Sequence, residues 1–130
     1  MNGEVGHFEL PAKDFKRASG FYSKVFGWKI TESKMPSGDS YTSLVTTEVD
    51  SSGRPKSPGA INGGMVKLGA PHTGPLITIV ADDINASLGL VVKNGGKTVV
   101  KRTDMGQYGA YAYFTDPEGN LMGLYEMPKT

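Results

Sequence analysis

The chain has 130 residues, 38% hydrophobic and 21% charged, and 14 basic against 13 acidic side chains leave a formal charge of +1. That length suits one domain with a core of its own, and so balanced a charge supplies no field that would gather nucleic acid or an anionic membrane. The absence of cysteine excludes disulfides, thiolate catalysis and cysteine-bound zinc, and it fits a reducing compartment, so a cytoplasmic location is the expectation.

Residues 5–10 alternate as a strand, with Phe8 and Leu10 on one face and Val5, His7 and Glu9 on the other, and Pro11 is expected to end it. Asp14 reads as the N-cap of a helix that runs to Phe26, with Phe15, Ala18, Tyr22, Val25 and Phe26 as its core stripe and Gly27 as its stop. Trp28–Thr31 and Tyr41–Thr47 follow as strands joined by a turn around Pro36–Asp39. The turn formers of Asp50–Gly59 predict a mobile connection, Ala60–Lys67 another strand, and Gly69–Pro75 a linker in which His72 is a solvated loop residue. The apolar strand Leu76–Val80 then leads to a helix capped by Asp82 or Asp83, with the stripe Ile84, Leu88, Val91 and Val92 and an end at Gly95-Gly96. Strands Thr98–Arg102, Ala110–Thr115 and Leu121–Met127 complete the chain, the last two joined by the turn Asp116-Pro-Glu-Gly-Asn.

The second half repeats the first. An offset of 69 carries Leu10 onto Ile79, Asp14 onto Asp83 and Gly27 onto Gly96. One βαβββ unit therefore occurs twice, as a module over 1–68, a linker over 69–75 and a module over 76–130. Each helix can cover only one face of its sheet, so the other face must curl around a partner unit or a ligand. The same offset carries His7 onto Leu76, and that mismatch bears on the chemistry.

Three local marks sit inside this duplication: Arg17-Ala-Ser-Gly-Phe-Tyr-Ser-Lys-Val-Phe-Gly-Trp, Asn94-Gly-Gly and Asp116-Pro-Glu-Gly-Asn. With them the chain resembles the vicinal oxygen chelate superfamily, which includes glyoxalase I, bleomycin-resistance proteins, fosfomycin-resistance enzymes and extradiol dioxygenases. The resemblance implies an α+β fold in which two βαβββ modules form a curved eight-stranded mixed sheet with helices on its outer face. Metal enzymes of that superfamily carry ligands on the first and last strand of each unit. The matching positions are His7, Gly63, Leu76 and Gly123, of which only His7 can bind a metal. A catalytic divalent site needs about three protein ligands, so neither a metal nor another cofactor is expected here.

By strand parity the inner face should carry His7 and Glu9 from the first strand, Met65 from the fourth, and Leu76, Thr78 and Val80 from the fifth. Tyr111 and Tyr113 join from the seventh and Tyr125 from the eighth, while Glu126 falls on the opposite face. Such an aromatic and apolar lining suits a small-molecule pocket. One reading is a metal-free protein, homodimeric and engaging neither nucleic acid nor membrane, that binds a planar or aromatic molecule. The other is an enzyme, a lyase or isomerase related to lactoylglutathione lyase, using His7 and Glu9 as acid and base with or without a weakly bound divalent metal. In that reading Glu9 orients the imidazole and raises its pKa toward neutrality. A purely structural domain with a collapsed cavity is a third.

Overall fold

The computed structural model describes residues 2–34, 38 and 40–129. In chain order the elements are β1 (Val5–Ala12), α1 (Phe15–Phe26), β2 (Lys29–Lys34), β3 (Ser40–Val45), β4 (Asn62–Lys67), β5 (Leu76–Val80), α2 (Ile84–Lys93), β6 (Lys97–Asp104), a 3-10 turn (Gly106–Tyr108), β7 (Ala110–Thr115) and β8 (Leu121–Glu126). The expected βαβββ unit thus occurs twice. The turn expected at Pro36–Asp39 falls, Gly38 apart, on residues outside the described ones.

Two compact units emerge, His7–Pro75 and residues 1–6 with 76–130. The first carries strands in the order β2-β3-β4-β1 and the second in the order β5-β8-β7-β6. In each, the first strand of the repeat pairs parallel with the last, β1 with β4 and β5 with β8, while the remaining pairs are antiparallel. A parallel partner needs a long crossover, and the helix plus two strands between β1 and β4 supply it. The unit boundary differs from the module boundary read from sequence, because residues 1–6 side with the second unit.

Both helix starts follow from their caps. Asp14 Oδ1 accepts from Arg17 N at 2.9 Å, and Asp83 Oδ1 accepts from Ala86 N at 3.1 Å. Gly27 ends α1 at φ 73°, whereas α2 stops two residues earlier than the repeat implies, at Asn94, with Gly95 taking the left-handed turn at φ 96°. Asp83→Ala leaves the Ala86 N–H without its carboxylate, and a melting temperature roughly 4 °C lower is expected by calorimetry, for a loss of about 1 kcal/mol.

The two helices pack unequally. α2 buries Ile84 and Leu88 against Ala110, Ala112, Phe114 and Leu124, with Val91 partly buried beside them. α1 buries no residue, and Phe15 and Ala18 rest on a small core of Ala12, Leu44 and Met65. The expected stripe fails over the last turn of α1, where Val25 and Phe26 are 56% and 62% exposed, beside Phe21 at 54%. These rings pack on one another instead. Tyr22 stacks on Trp28 at 4.7 Å and 9°, and Phe21 meets Tyr22 edge-on at 5.1 Å. Val92 likewise leaves the α2 stripe and is exposed.

Other expectations are corrected locally. Pro11 does not end β1 but pairs with Val66 inside it. A proline so near a strand end costs one N–H, while the Ala12 carbonyl next to it still accepts from Leu68 N at 3.0 Å. The connection after β3 is built around Asp50, whose carboxylate accepts from Ser52 N, Ser52 Oγ and Arg54 N, and these bonds hold its pKa below the usual range. His72 is half-buried in a tight turn whose backbone pairs with Gly69 in both directions.

Candidate functional site

In each unit the helix claims one face of the sheet and leaves the other for chemistry. Phe8, Leu10, Ala12, Leu44 and Met65 all belong to the core under α1. Successive strand residues point to opposite faces, so His7 and Glu9 lie on the face away from the helix, as expected. Met65 does not join them. It is paired with Leu10 and Thr42 and buried under α1, which corrects its place among the inner-face residues. The same register corrects Gly63. It pairs with Phe8 on the helix side, whereas Gly64 pairs with Glu9 and Ser43 on the open face. The position matching a metal ligand on β4 is therefore Gly64. The repeat agrees: the offset of 69 takes Glu9 to Thr78, and Thr78 pairs with Gly123 as Glu9 pairs with Gly64.

His7 is half-buried and Glu9 buried. The Nε2 of His7 lies 3.2 Å from the hydroxyl of Tyr41 on β3. Tyr41 reaches it by crossing over Gly64, where a Cβ would collide with the phenol oxygen and ring. Burial pushes the His7 pKa down to about 4, because a charged imidazole would lose its hydration there. This corrects the expectation that Glu9 raises it toward neutrality: His7 is a neutral imidazole at pH 7, with one hydrogen shared between it and Tyr41. Sequence alone gave no sign of Tyr41, which is 34 residues from its partner. Its only trace was the glycine pair on the neighbouring strand.

In the second unit the open face carries Leu76, Thr78 and Val80 on β5, Tyr111 and Tyr113 on β7, and Gly123 and Tyr125 on β8, since Ile79, Ala112 and Leu124 between them pack in the core under α2. Tyr111 and Tyr113 sit edge to face with ring centroids 5.7 Å apart. Tyr113 is buried and Tyr111 half-buried. The Tyr125 hydroxyl donates to the Tyr108 carbonyl at 2.7 Å, which pins its ring, and burial raises its pKa. Thr78 leans over Gly123, with its Oγ1 2.6 Å from where a Cβ would stand.

Glu126 lies on the helix side of β8, as expected from its parity. Its carboxylate accepts from Ile84 N at 2.9 Å and from Arg102 Nη2 at 2.7 Å, so it closes the first turn of α2. The Arg102 bond, then the Ile84 bond, holds its pKa below the carboxylate range.

These residues do not fit a divalent metal. Gly64, Leu76 and Gly123 offer no side-chain donor, and no group of three or more His, Cys, Asp or Glu side chains comes together among the described residues. The Tyr41 hydroxyl already faces His7 Nε2.

Residues 4–124 match the model of the Glyoxalase/Bleomycin resistance protein/Dioxygenase superfamily. The chain belongs to that superfamily. It is similar to the "Putative glyoxylase CFP32" of Mycobacterium tuberculosis (strain CDC 1551 / Oshkosh), 30% identical over 126 residues that take in 95% of this chain and 46% of that protein. The chain thus spans about half the length of that relative and of its Mycobacterium bovis namesake. It is also similar to a "Glyoxylase-like domain-containing protein" of Didymella fabae, 31% identical over 133 residues, covering 98% of this chain and 97% of the other. Among solved structures, Streptomyces coelicolor methylmalonyl-CoA epimerase in complex with 2-nitronate-propionyl-CoA superposes with a TM-score of 0.70 at 14% identity, covering 99% of this chain and 100% of that one. The hypothetical protein BH1468 from Bacillus halodurans C-125 gives 0.69 at 16% identity, covering 100% and 98%. At such identities these two show the superfamily's fold and nothing finer. Among the described residues no helix is long and apolar enough to cross a membrane.

Proposed function

We propose that this superfamily member binds a small planar or aromatic molecule against the tyrosine face of its second unit, and that it does so without a catalytic metal. The observation that carries the reading is the donor count: glycine, leucine and glycine stand at the three matching ligand positions, which leaves His7 as the one donor where about three are needed. Tyr111 and Tyr113, with Thr78 and Leu76 on the neighbouring strand, offer ring faces and a few polar groups, the usual composition of a small-molecule site. The near-neutral charge supports a partner list without nucleic acid or membrane, and we read the working form as a cytoplasmic homodimer.

A second reading, a lyase or isomerase using His7 and Glu9, draws support from the names of the relatives and from the burial of Glu9 beside His7. A base whose pKa is near 4 takes protons poorly at neutral pH, which ranks this reading below binding.

Elemental mass spectrometry of protein purified without chelator, together with melting curves in a panel of planar aromatic compounds, tests the proposal. Substoichiometric metal and at least one compound that raises the melting temperature are expected. Tyr111→Ala should then weaken that compound about tenfold, the value of one aromatic contact. About one metal per chain, or a panel that moves nothing, overturns it.

A further inference from the structure

We propose that the C-terminal end of α1 docks an acidic segment of a partner protein, which lays an aliphatic or aromatic side chain on Phe21, Val25 and Phe26 and sets its carboxylates against Arg17 and Lys24. This surface lies on the helix side of the first unit, which the tyrosine-lined binding reading above does not use, so the two stand or fall separately.

Phe21, Val25 and Phe26 are each more than half exposed and follow one another along the last two turns of α1. Large apolar side chains grouped in this way mark a surface that another molecule covers. The rings are also held in place. Phe21 packs edge-on against Tyr22 and lies 6.4 Å from Phe26, and Tyr22 stacks on Trp28, whose ring meets Phe8 over the core. So braced a ledge loses little side-chain freedom when it is covered. The repeat supplies a comparison within the chain. The offset of 69 carries Phe21 onto Leu90, which is exposed too, but Val25 and Phe26 onto Asn94 and Gly95, and Lys16 and Arg17 onto Asn85 and Ala86. Neither the apolar group nor the charge beside it is a by-product of the repeated fold.

The charge around the patch selects the occupant. Over residues 13–29 the charged side chains are Lys13, Lys16, Arg17, Lys24 and Lys29 against Asp14 alone, and the Asp14 carboxylate is taken up in capping α1. All five cations are exposed. Helical spacing puts Arg17 one turn before Phe21 and Lys24 one turn after it, so positive charge flanks the apolar row. A second copy of this chain fits poorly, because a two-fold contact over the patch sets the cations of one copy against those of the other. A lipid surface or a nucleic acid fits less well than a peptide. The whole chain carries only +1, which gives little pull toward a polyanion, and the rings close on one another instead of standing free to enter lipid or stack with bases. A protein segment with carboxylates on either side of an apolar residue meets both halves of the surface at once.

Trp28 is the chain's single tryptophan and stacks on Tyr22 beside the patch, so its fluorescence reports binding directly. The probe is a short peptide of glutamate, aspartate and leucine, and its control keeps the leucines with lysine in place of every acid. The acidic peptide is expected to change Trp28 emission saturably and the lysine peptide is not. Phe21→Ser should weaken the acidic peptide about tenfold, the value of one aromatic contact. Arg17→Glu together with Lys24→Glu should reverse the preference between the two peptides. The pair is expected to fold, because Asp14 bonds the Arg17 backbone N–H and not its side chain, and a glutamate in the first turn suits the helix dipole. Lys24→Glu alone should already narrow the preference, which keeps the test decisive if the pair fails to fold. No saturable change with the acidic peptide, an equal response to both peptides, or a preference that survives these charge reversals overturns the proposal. Phosphatidylserine vesicles or oligothymidylate bound more tightly than the peptide, with binding lost in Phe21→Ser, would assign the patch to a membrane or a nucleic acid and overturn it as well. A wild-type dimer that dissociates in Phe21→Ser, read by analytical ultracentrifugation, would assign it to a second copy and do the same.

Discussion

Between pH 7 and pH 5 the protein should lose about 2 kcal/mol of stability, read as a fall of roughly 7 °C in melting temperature. The cause is His7, whose pKa drops from 6.5 in the unfolded chain to about 4 in the folded one. The unfolded state binds a proton as the pH passes below 6.5 and the folded state does not until about 4. Stability therefore rises with pH across that window, is complete above it, and is lost on acidification. The full shift is worth about 3 kcal/mol. Carboxylates contribute at lower pH: Glu126, with its pKa depressed, loses its stabilising share only as the pH falls below its unfolded value of 4.5. His7→Asn should flatten the profile between pH 7 and 5, because the amide does not titrate. A wild-type profile that is already flat there would mean that His7 is hydrated in the folded protein.

Glu126→Ala should cost about 2–3 kcal/mol, seen as a melting temperature lower by roughly 10 °C. Glu126 is only 6% exposed and its carboxylate serves two donors, the Ile84 N–H that opens α2 and the Arg102 guanidinium. Removing it orphans a buried backbone N–H beside Ile84, which is fully buried itself, and leaves a cation against the helix start, where the dipole already points its positive end. Arg102 is about one-third exposed, so water recovers part of the loss and the value stays below that of a fully buried pair. Glu126→Gln keeps an acceptor for Ile84 and should lose less. If urea titration finds the two variants equally destabilised, the charge pair rather than the helix cap carries the effect.

Much of the fold was legible because its signals are local. Asp14 is the cap in the structure as in the sequence, Asp83 is the one of the two candidates Asp82 and Asp83 that caps α2, and Leu76–Val80 and Ala110–Thr115 begin and end where their apolar runs do. The open face of the second unit was legible for the same reason: large side chains at 111, 113 and 125 announce their parity. The first unit was harder to read. Gly63 and Gly64 have no side chains to show which way they face, so the phase along β4 slipped by one residue, and Met65 and the ligand-matching glycine went to the wrong faces together. The burial of Val25 and Phe26 was also misjudged. Helical periodicity tells which residues share a stripe, but not whether the surface beneath it is long enough to cover the last turn. Tyr41 and Arg102 act through partners 34 and 24 residues away, and pairings of that kind depend on register that composition does not encode.

β1 begins in one compact unit and finishes in the other. Its lead-in is held by the second repeat: Gly3 N donates to the Val80 carbonyl, Val80 N donates to the Glu4 carbonyl, and Asp82 N donates to the Asn2 side chain. A protease cutting the linker would therefore not release two self-sufficient halves. The fragment from Leu76 onward would lose the backbone partners of Val80 and present a raw strand edge, ready to recruit any extended peptide. The ancestral duplication is in this sense no longer divisible. The first copy has lent a few residues to the second, whose Val80 edge would be incomplete as a portable module.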